Sequence, residues 1–229
     1  MKKLGLIGGI SWVSTMDYYK LINEGVNRQL GGLNFAECLI YSFNFADIKK
    51  NSDENNWDLT FQWVSKACKD LRAGGAEGIV LCANTMHLIA DRLREVLDIP
   101  VIHIAEETAT AIRQAGVHKV ALLGTKFTME RDFYKTILLK KGIEAIIPGD
   151  ADRDFIHQTI FDELSRGEVS TETKTRYLQI VAELIAQGAE GIILGCTEIP
   201  LVIKPGDVIV PTFDTTAIHA AAAVKFYLS

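Results

Sequence analysis

Two short stretches hold the side chains best suited to acid–base chemistry: Cys82-Ala83-Asn84-Thr85-Met86-His87 and Gly195-Cys196-Thr197-Glu198-Ile199-Pro200. A thiol beside a helix N-terminus is drawn towards thiolate by the unpaired N–H groups there, and a thiolate is both base and nucleophile. Cys196 is the sharpest candidate of this kind. The bland alternative is a small buried hydrophobe, which suits Cys38 in a strand run and Cys68 on an apolar helix stripe. Asn84, Thr85 and Thr197 are small polar residues at strand-to-helix turns, able to cap a helix or to bind a ligand carboxylate. Glu198 either orients a reacting group or sits as a first-turn carboxylate on a helix dipole. His87, one turn into a helix, reads as a capping or structural residue ahead of an acid–base group, and His103 and His219 rank below it. No Cys-x-x-Cys or His-x-x-x-His spacing suggests a metal site, and Gly5, Gly8 and Gly9 do not form a dinucleotide fingerprint.

The two stretches belong to a repeat. Residues 75–81, Gly-Ala-Glu-Gly-Ile-Val-Leu, return as 188–194, Gly-Ala-Glu-Gly-Ile-Ile-Leu, at an offset of 113. Leu4–Gly9 matches Val120–Thr125 at 116, and Asp98–Val101 resembles Asp207–Val210 at 109. Such ordered agreement divides the chain into a first half, 1–115, and a second half, 116–229, with the C-terminal helix free to pack on the other half. Apolar runs bounded by glycine predict parallel strands at 3–7, 37–43, 77–82, 99–103, 118–123, 143–147, 190–194 and 207–210. The stripe Val64, Ala67, Cys68, Leu71 has helical spacing and recurs as Tyr177, Ile180, Val181, Leu184. Strand–helix alternation predicts two pseudosymmetric, doubly wound α/β domains, each a three-layer sandwich about a parallel sheet, with a site in the cleft between them. At the 113 offset Cys196 aligns with Ala83, not with Cys82, whose side chain should point to the opposite face.

Composition narrows the function classes. A net charge of −5 disfavours an electrostatic nucleic-acid binder, and hydrophobic content of 48% excludes extended disorder. No apolar run reaches the roughly 18 residues of a membrane span, and the N-terminal apolar stretch is too short for an export signal. The four cysteines are therefore read as reduced thiols in a cytoplasmic chain.

At these residues the sequence resembles the aspartate/glutamate racemase family along essentially its whole length. The resemblance is carried by Gly8-Gly9-Ile10-Ser11-Trp12, Ser14-Thr15, Tyr18-Tyr19, Ile22-Asn23-Glu24-Gly25, Asn84-Thr85-Met86-His87, Gly124-Thr125 with Thr128-Met129-Glu130, Gly195-Cys196-Thr197-Glu198 and Phe213-Asp214-Thr215. It looks closest to the branch acting on L-aspartate and L-glutamate. It implies an amino-acid racemase without pyridoxal phosphate or any other cofactor, a small amino-acid or dicarboxylic acid substrate, and compatibility with a homodimer. It also implies that two bases on opposite faces of Cα exchange its proton, one of them Cys196, while Ile10, Ser11, Asn84, Thr85, Thr125, Thr128 and Thr197 bind substrate.

The sequence departs from the family's pattern in two places. Many relatives carry a cysteine before Asn-Thr, and some a threonine. Here it is Ala83, which carries no proton. Three accounts remain open: Cys196 works alone with water or another group on the far face, Cys82 substitutes through a backbone shift, or Ala83 is a substitution introduced to trap a ligand. Relatives that place an arginine and a lysine on the substrate's side chain have Ile48 and Ser165 at the nearest positions here, with Lys49 and Arg166 only neighbouring. Alternatives to racemisation are a one-thiol decarboxylase or isomerase of small dicarboxylic acids, and a carboxylate-binding protein with impaired catalysis.

Overall fold

The computed structural model describes residues 1–229. In chain order the elements are β1 (Leu4–Gly8), α1 (Trp12–Leu30), β2 (Cys38–Ser42), α2 (Phe45–Asp53), α3 (Trp57–Ala73), β3 (Gly78–Leu81), α4 (Ala90–Val96), β4 (Val101–Ile102), α5 (Ile104–Gln114), β5 (Lys119–Leu123), α6 (Lys126–Glu130), α7 (Asp132–Lys140), β6 (Glu144–Ile146), α8 (Asp150–Asp162), α9 (Thr171–Ala186), β7 (Gly191–Leu194), α10 (Ile199–Val202), β8 (Thr212–Asp214) and α11 (Thr215–Leu228). They build two α/β units, each with a four-stranded parallel sheet, ordered β2-β1-β3-β4 in the first and β6-β5-β7-β8 in the second.

The first unit comprises Met1–Ile104 and His219–Ser229, and the second Ala105–Ile218. The sequence repeat divides the chain at 115/116, whereas packing divides it at 104/105. The reason is local. Tyr134 Oη of α7 donates to Thr108 Oγ1 of α5 at 3.0 Å, so α5 belongs with the second sheet. The end of α11 returns to the first sheet, where Lys2 N–H donates to Tyr227 O at 2.8 Å and Glu37 N–H to Tyr227 Oη at 3.2 Å.

In the first unit, strand alternation sorts the core onto two faces. Ile7, Ile79, Leu81 and Val101 pack with Val64, Ala67, Cys68 and Leu71 of α3, and Leu4, Leu6, Val80 and Cys82 pack with Tyr18, Ile22 and Val26 of α1 and Ala223 and Val224 of α11. Helices on both faces make the three layers expected. In the second unit Ala121, Leu123, Ile192 and Leu194 pack with α8 and with Tyr177, Ile180, Val181 and Leu184 of α9. On the opposite face Val120, Leu122 and Ile193 are fully buried. Each fully buried Leu, Ile or Val contributes about 1.5–3 kcal/mol. No helix is long and apolar enough to cross a membrane.

The repeated Gly-Ala-Glu-Gly motif is a strand-positioning device. Gly75 and Gly188 have φ of 96° and 94°, a left-handed conformation that glycine adopts without penalty. Ala76 and Ala189 are buried. Glu77 Oε1 accepts from Lys3 N–H at 3.0 Å, and Glu190 Oε2 from His118 N–H at 2.7 Å, so each carboxylate holds the start of the neighbouring central strand. Gly78 and Gly191 leave room for the rings of Phe226 and Phe213, which a Cβ would meet at 2.5 and 2.8 Å.

One predicted strand is wrong. Residues 207–210 are not extended, and the last strand is β8 at Thr212–Asp214. Asp207 folds back, accepting from Lys204 N–H at 2.8 Å and pairing with Lys174, and Ile209 is 91% exposed. Ladder geometry supplies the correct alignment. Ile79 N–H donates to Pro100 O and Ile192 N–H to Pro211 O, both at 2.9 Å, so Pro211, not Ile209, corresponds to Pro100. Proline lacks the N–H a ladder needs and enters at the strand's start.

The first unit also buries a histidine group beside α1. His219 Nε2–H donates to Ile102 O at 2.9 Å, and its Nδ1 accepts from Tyr18 Oη at 2.8 Å, so the ring is neutral with a defined tautomer. His87 packs edge-on against both His103 and His219. Burial, partly countered by the Ile102 carbonyl, pulls His219 down to about 4, and burial together with the two neighbouring rings pulls His87 well below the usual range. The unfolded chain takes up these protons near pH 6.5 while the folded chain refuses them. Stability is therefore full above that pH and is lost as pH falls towards 4. Urea unfolding should show a loss of about 2 kcal/mol from His219 alone between pH 7.5 and 5. A His219→Gln variant should have a correspondingly shallower pH dependence, and equal slopes in the two proteins would exclude His219 as the source.

Candidate active site

Within each unit the sequence-predicted residues gather at the carboxyl ends of the two central strands. In the first unit Ile10 and Ser11 follow β1, and Ala83, Asn84 and Thr85 follow β3, which pairs with β1 through Ile7 and Leu81. Gly9, at φ 79°, turns the chain against Phe43, whose carbonyl would lie 2.1 Å from any Cβ. Ser11 holds the unusual φ of 34° and caps α1, its Oγ 3.5 Å from Ser14 N. Thr15 Oγ1 accepts from Gly9 N–H at 2.9 Å, and Ser14 Oγ donates to Cys82 O at 2.7 Å. The start of α1 is thereby tied to the end of β3. Ser14 and Thr15 carried the resemblance, but nothing in their spacing announced these bonds. Ile10 and Asn84 are buried, and Ser11 and Thr85 are half-buried.

The turn after β3 is held from below. His87 Nδ1–H faces Ala83 O at 3.2 Å and Asn84 O at 3.3 Å, so the ring ties down the turn, and Nε2 lacks a hydrogen-bond partner. Ala83 is extended, at φ −151° and ψ 133°, and its half-buried methyl packs on the α3 face. Cys82 points the other way, 1% exposed among Leu6, Ile22 and Val224. Burial pushes its thiol far up, and the nearby Cys38 adds to this. A thiol so placed is a core side chain. Cys82→Ala should lower unfolding stability by about 1 kcal/mol while leaving turnover of any substrate as it is in the parent protein, measured side by side. Complete loss of turnover in a folded variant would restore Cys82 as a reacting group.

In the second unit Thr125 and Thr128 follow β5 and Cys196 and Thr197 follow β7. Gly195 N–H donates to Leu123 O at 2.7 Å, carrying the ladder to the edge of the turn. Thr125 caps α6, with Thr128 N–H 3.4 Å from its Oγ1. Thr128 is buried, its hydroxyl 3.4 Å from that of Thr125 and its methyl under Gly195. Cys196 is half-buried and rests against the α8–α9 core. Its Sγ–H donates to Glu198 Oε2 at 2.8 Å, and Thr197 Oγ1 donates to the same oxygen at 2.7 Å.

The electrostatics of this thiol differ from the sequence-based expectation. Its pKa is raised well above the ordinary value, first by desolvation, then by the Glu198 charge and the Sγ–H···Oε2 bond. The Thr197 and Glu198 N–H groups pull it down but do not win. Cys196 therefore rests as a thiol, poised to give a proton. Its orientation towards Glu198, two residues on, is a one-turn geometry that the sequence left open. Burial also raises Cys68, to about 12, and Cys38, and all four cysteines are free.

The positions expected to recognise a side-chain carboxylate carry no cation. Ile48 is in the α3-face core, and Ser165 donates to Phe161 O at 2.6 Å. Lys49 pairs with Asp53, and Arg166 is exposed.

Over 232 residues, covering 99% of this chain and 98% of the relative, the sequence is 26% identical to a broad specificity amino-acid racemase of Bacillus subtilis. Two solved structures match over the full length of both chains: a candidate Asp/Glu racemase from Yersinia pestis, at TM-score 0.96 and 46% identity, and an aspartate racemase homologue from Pyrococcus horikoshii, at 0.90 and 37%. Residues 7–223 match the Asp/Glu/Hydantoin racemase family. The chain belongs to that family.

Proposed function

We propose that this protein is an amino-acid racemase that needs no cofactor, acts on aspartate or glutamate, and uses Cys196 as its thiol acid/base. The observation that carries the reading is the half-buried Cys196 sulfhydryl, presented on the turn after a central strand and bonded to a carboxylate. Racemisation breaks the Cα–H bond, leaves its electron pair on a carbanion-like centre conjugated with the substrate carboxylate, and returns a proton to the opposite face. Fixed donors around that carboxylate favour the charged state. Backbone N–H groups of Ile10 and Ser11 and the polar groups of Asn84, Thr85, Thr125, Thr128 and Thr197 are the donors we assign. Family membership supports this chemistry, and so does the similarity to a relative described as a broad specificity amino-acid racemase.

A second reading draws on a specific pair of observations. Ala83 has no proton to exchange, and Cys196 rests protonated. One proton donor suffices for decarboxylation of a malonate-type acid, where loss of carbon dioxide makes the carbanion and Cys196 quenches it on one face. Proton NMR of L-aspartate, L-glutamate and a panel of neutral amino acids in heavy water separates the readings. A racemase exchanges the Cα hydrogen for deuterium. Carbon dioxide release from malonates with no exchange in any amino acid would replace racemisation by the second reading. Ligand-dependent stabilisation without turnover of either kind would leave a carboxylate-binding protein.

A further inference from the structure

We propose that Glu198 is the positioning residue of Cys196: its Oε2 anchors the sulfhydryl and accepts its proton when sulfur must act as a base. The inference rests on Cys196 being the reacting thiol. Two contacts converge on this corner of the second unit. Cys196 Sγ–H and Thr197 Oγ1–H both donate to Oε2, at 2.8 and 2.7 Å, so one carboxylate oxygen is fixed by two donors from adjacent residues. The Thr197 bond gives the carboxylate a second anchor beside the thiol, on the same oxygen.

Charged residues at the ends of the two strands flanking β7 have partners of their own. Lys126, after β5, pairs with Asp154 of α8. Asp214, after β8, accepts the N–H groups of Thr216 and Ala217 through Oδ1 at 2.9 and 3.1 Å. Tyr177 of α9 faces the thiol as a neutral phenol, with its own proton directed to Ile156 O at 3.4 Å. Glu198 is thus the group placed to receive the thiol's proton. In that step the S–H bond breaks, its electron pair stays on sulfur as thiolate, an Oε2–H bond forms, and the carboxylate becomes neutral. The thiolate then takes the Cα proton, the C–H pair remaining on the substrate. After abstraction sulfur carries the Cα proton and Glu198 the former thiol proton. Water protonates the carbanion on the opposite face, and Glu198 releases its proton to the hydroxide so formed, which returns the carboxylate and closes the cycle.

This arrangement makes an unusual demand on a variant. Removing the carboxylate's charge should make Cys196 more easily ionised, yet less competent in turnover, because the acceptor is gone. The test is the rate of Cys196 alkylation by iodoacetamide from pH 6 to 10, read by mass spectrometry of the peptide that carries it, and it needs no substrate. The parent protein should show a midpoint above that of an ordinary thiol, near 8.5. Glu198→Gln should lower that midpoint by about one pH unit or more, while Cα–deuterium exchange falls about 100-fold in kcat with KM little changed. Glu198→Asp, which keeps the charge, should restore the parent midpoint.

A parent midpoint at or below the ordinary value overturns the proposal without recourse to any variant. So does an unchanged midpoint in folded Glu198→Gln, or a lowered midpoint with exchange undiminished. Should the parent exchange no amino acid while the Glu198→Gln midpoint still falls, carboxylate control of the thiol stands and the racemase reading fails instead.

Discussion

Cys196→Ala should abolish Cα-hydrogen exchange while the protein stays folded. A positioned acid/base typically contributes 10²–10⁴-fold. Here the effect should lie at the top of that range, because the aligned position in the first unit is Ala83, and no second side-chain thiol shares the work. Structure predicts a small cost in stability. The residue is half-buried, its sulfur rests on the edge of the α8–α9 core, and the turn is held by backbone bonds that alanine keeps, Gly195 N–H to Leu123 O and Ile199 N–H to Cys196 O. Removing Sγ also frees Glu198, which retains its bond from Thr197. The unfolding midpoint should therefore move by no more than about 1 kcal/mol, and loss of exchange can be assigned to chemistry. Exchange persisting within tenfold of the parent in folded Cys196→Ala would remove this sulfur from the mechanism. Cys196→Ser provides a second reading of the same atom. A hydroxyl is a far weaker acid than a thiol, so exchange should remain close to zero although a donor to Glu198 has been restored.

The fold was legible where local pattern and tertiary role coincide. The Gly-Ala-Glu-Gly motif could be seen because each of its four positions answers a separate demand, a left-handed turn, a buried methyl, a strand anchor and space for a phenylalanine. Four constraints on four residues leave little room for drift. The last strand was misplaced for the opposite reason. Asp207–Val210 has an apolar run and a tempting likeness to Asp98–Val101, but a two-residue difference in the connection moves the ladder to Thr212, and only Pro211, as the counterpart of Pro100, marks the shift. Apolar runs report burial in general, and Ile209 shows that a short one carries no such guarantee.

Side-chain chemistry was legible by type but not by sign. Cys196, Thr197 and Glu198 stand out in the sequence, and strand alternation alone separated Cys82 from Ala83, which the packing places on opposite faces. The protonation state of Cys196 did not follow, because it depends on the rotamer of Glu198 and on desolvation of sulfur, and neither has a sequence period. The helix after the turn, Ile199–Val202, is a single turn, so its dipole is too weak to offset a full carboxylate charge at hydrogen-bond distance. The histidine group was missed for a related reason. His87, His103 and His219 come from three distant segments and meet through the crossover order of the first sheet and the return of α11, information that resides in topology.

Ala83→Cys should raise racemisation in both directions, by about 100-fold. Ala83 is already extended, at φ −151° and ψ 133°, a conformation cysteine adopts without strain, and its β-carbon lies on the α3 face, away from buried Cys82. Its carbonyl, not its side chain, receives His87, so the hold on the turn survives the substitution. The added sulfur supplies the one chemical group the first unit lacks relative to Cys196 in the second. On the two-base chemistry proposed above, one thiol would deliver a proton as the other removes one, and because the equilibrium constant of racemisation is unity, kcat/KM should rise equally from either enantiomer. Ala83→Ser is the matched control, since it adds similar bulk without a group that ionises near neutral pH, and it should leave the rate near that of the parent. Polarimetry from pure L- and pure D-substrate, under reducing conditions, reads both directions. If Ala83→Cys and Ala83→Ser behave alike, the position does not carry the opposing base, and catalysis with a single thiol is the complete chemistry of this chain.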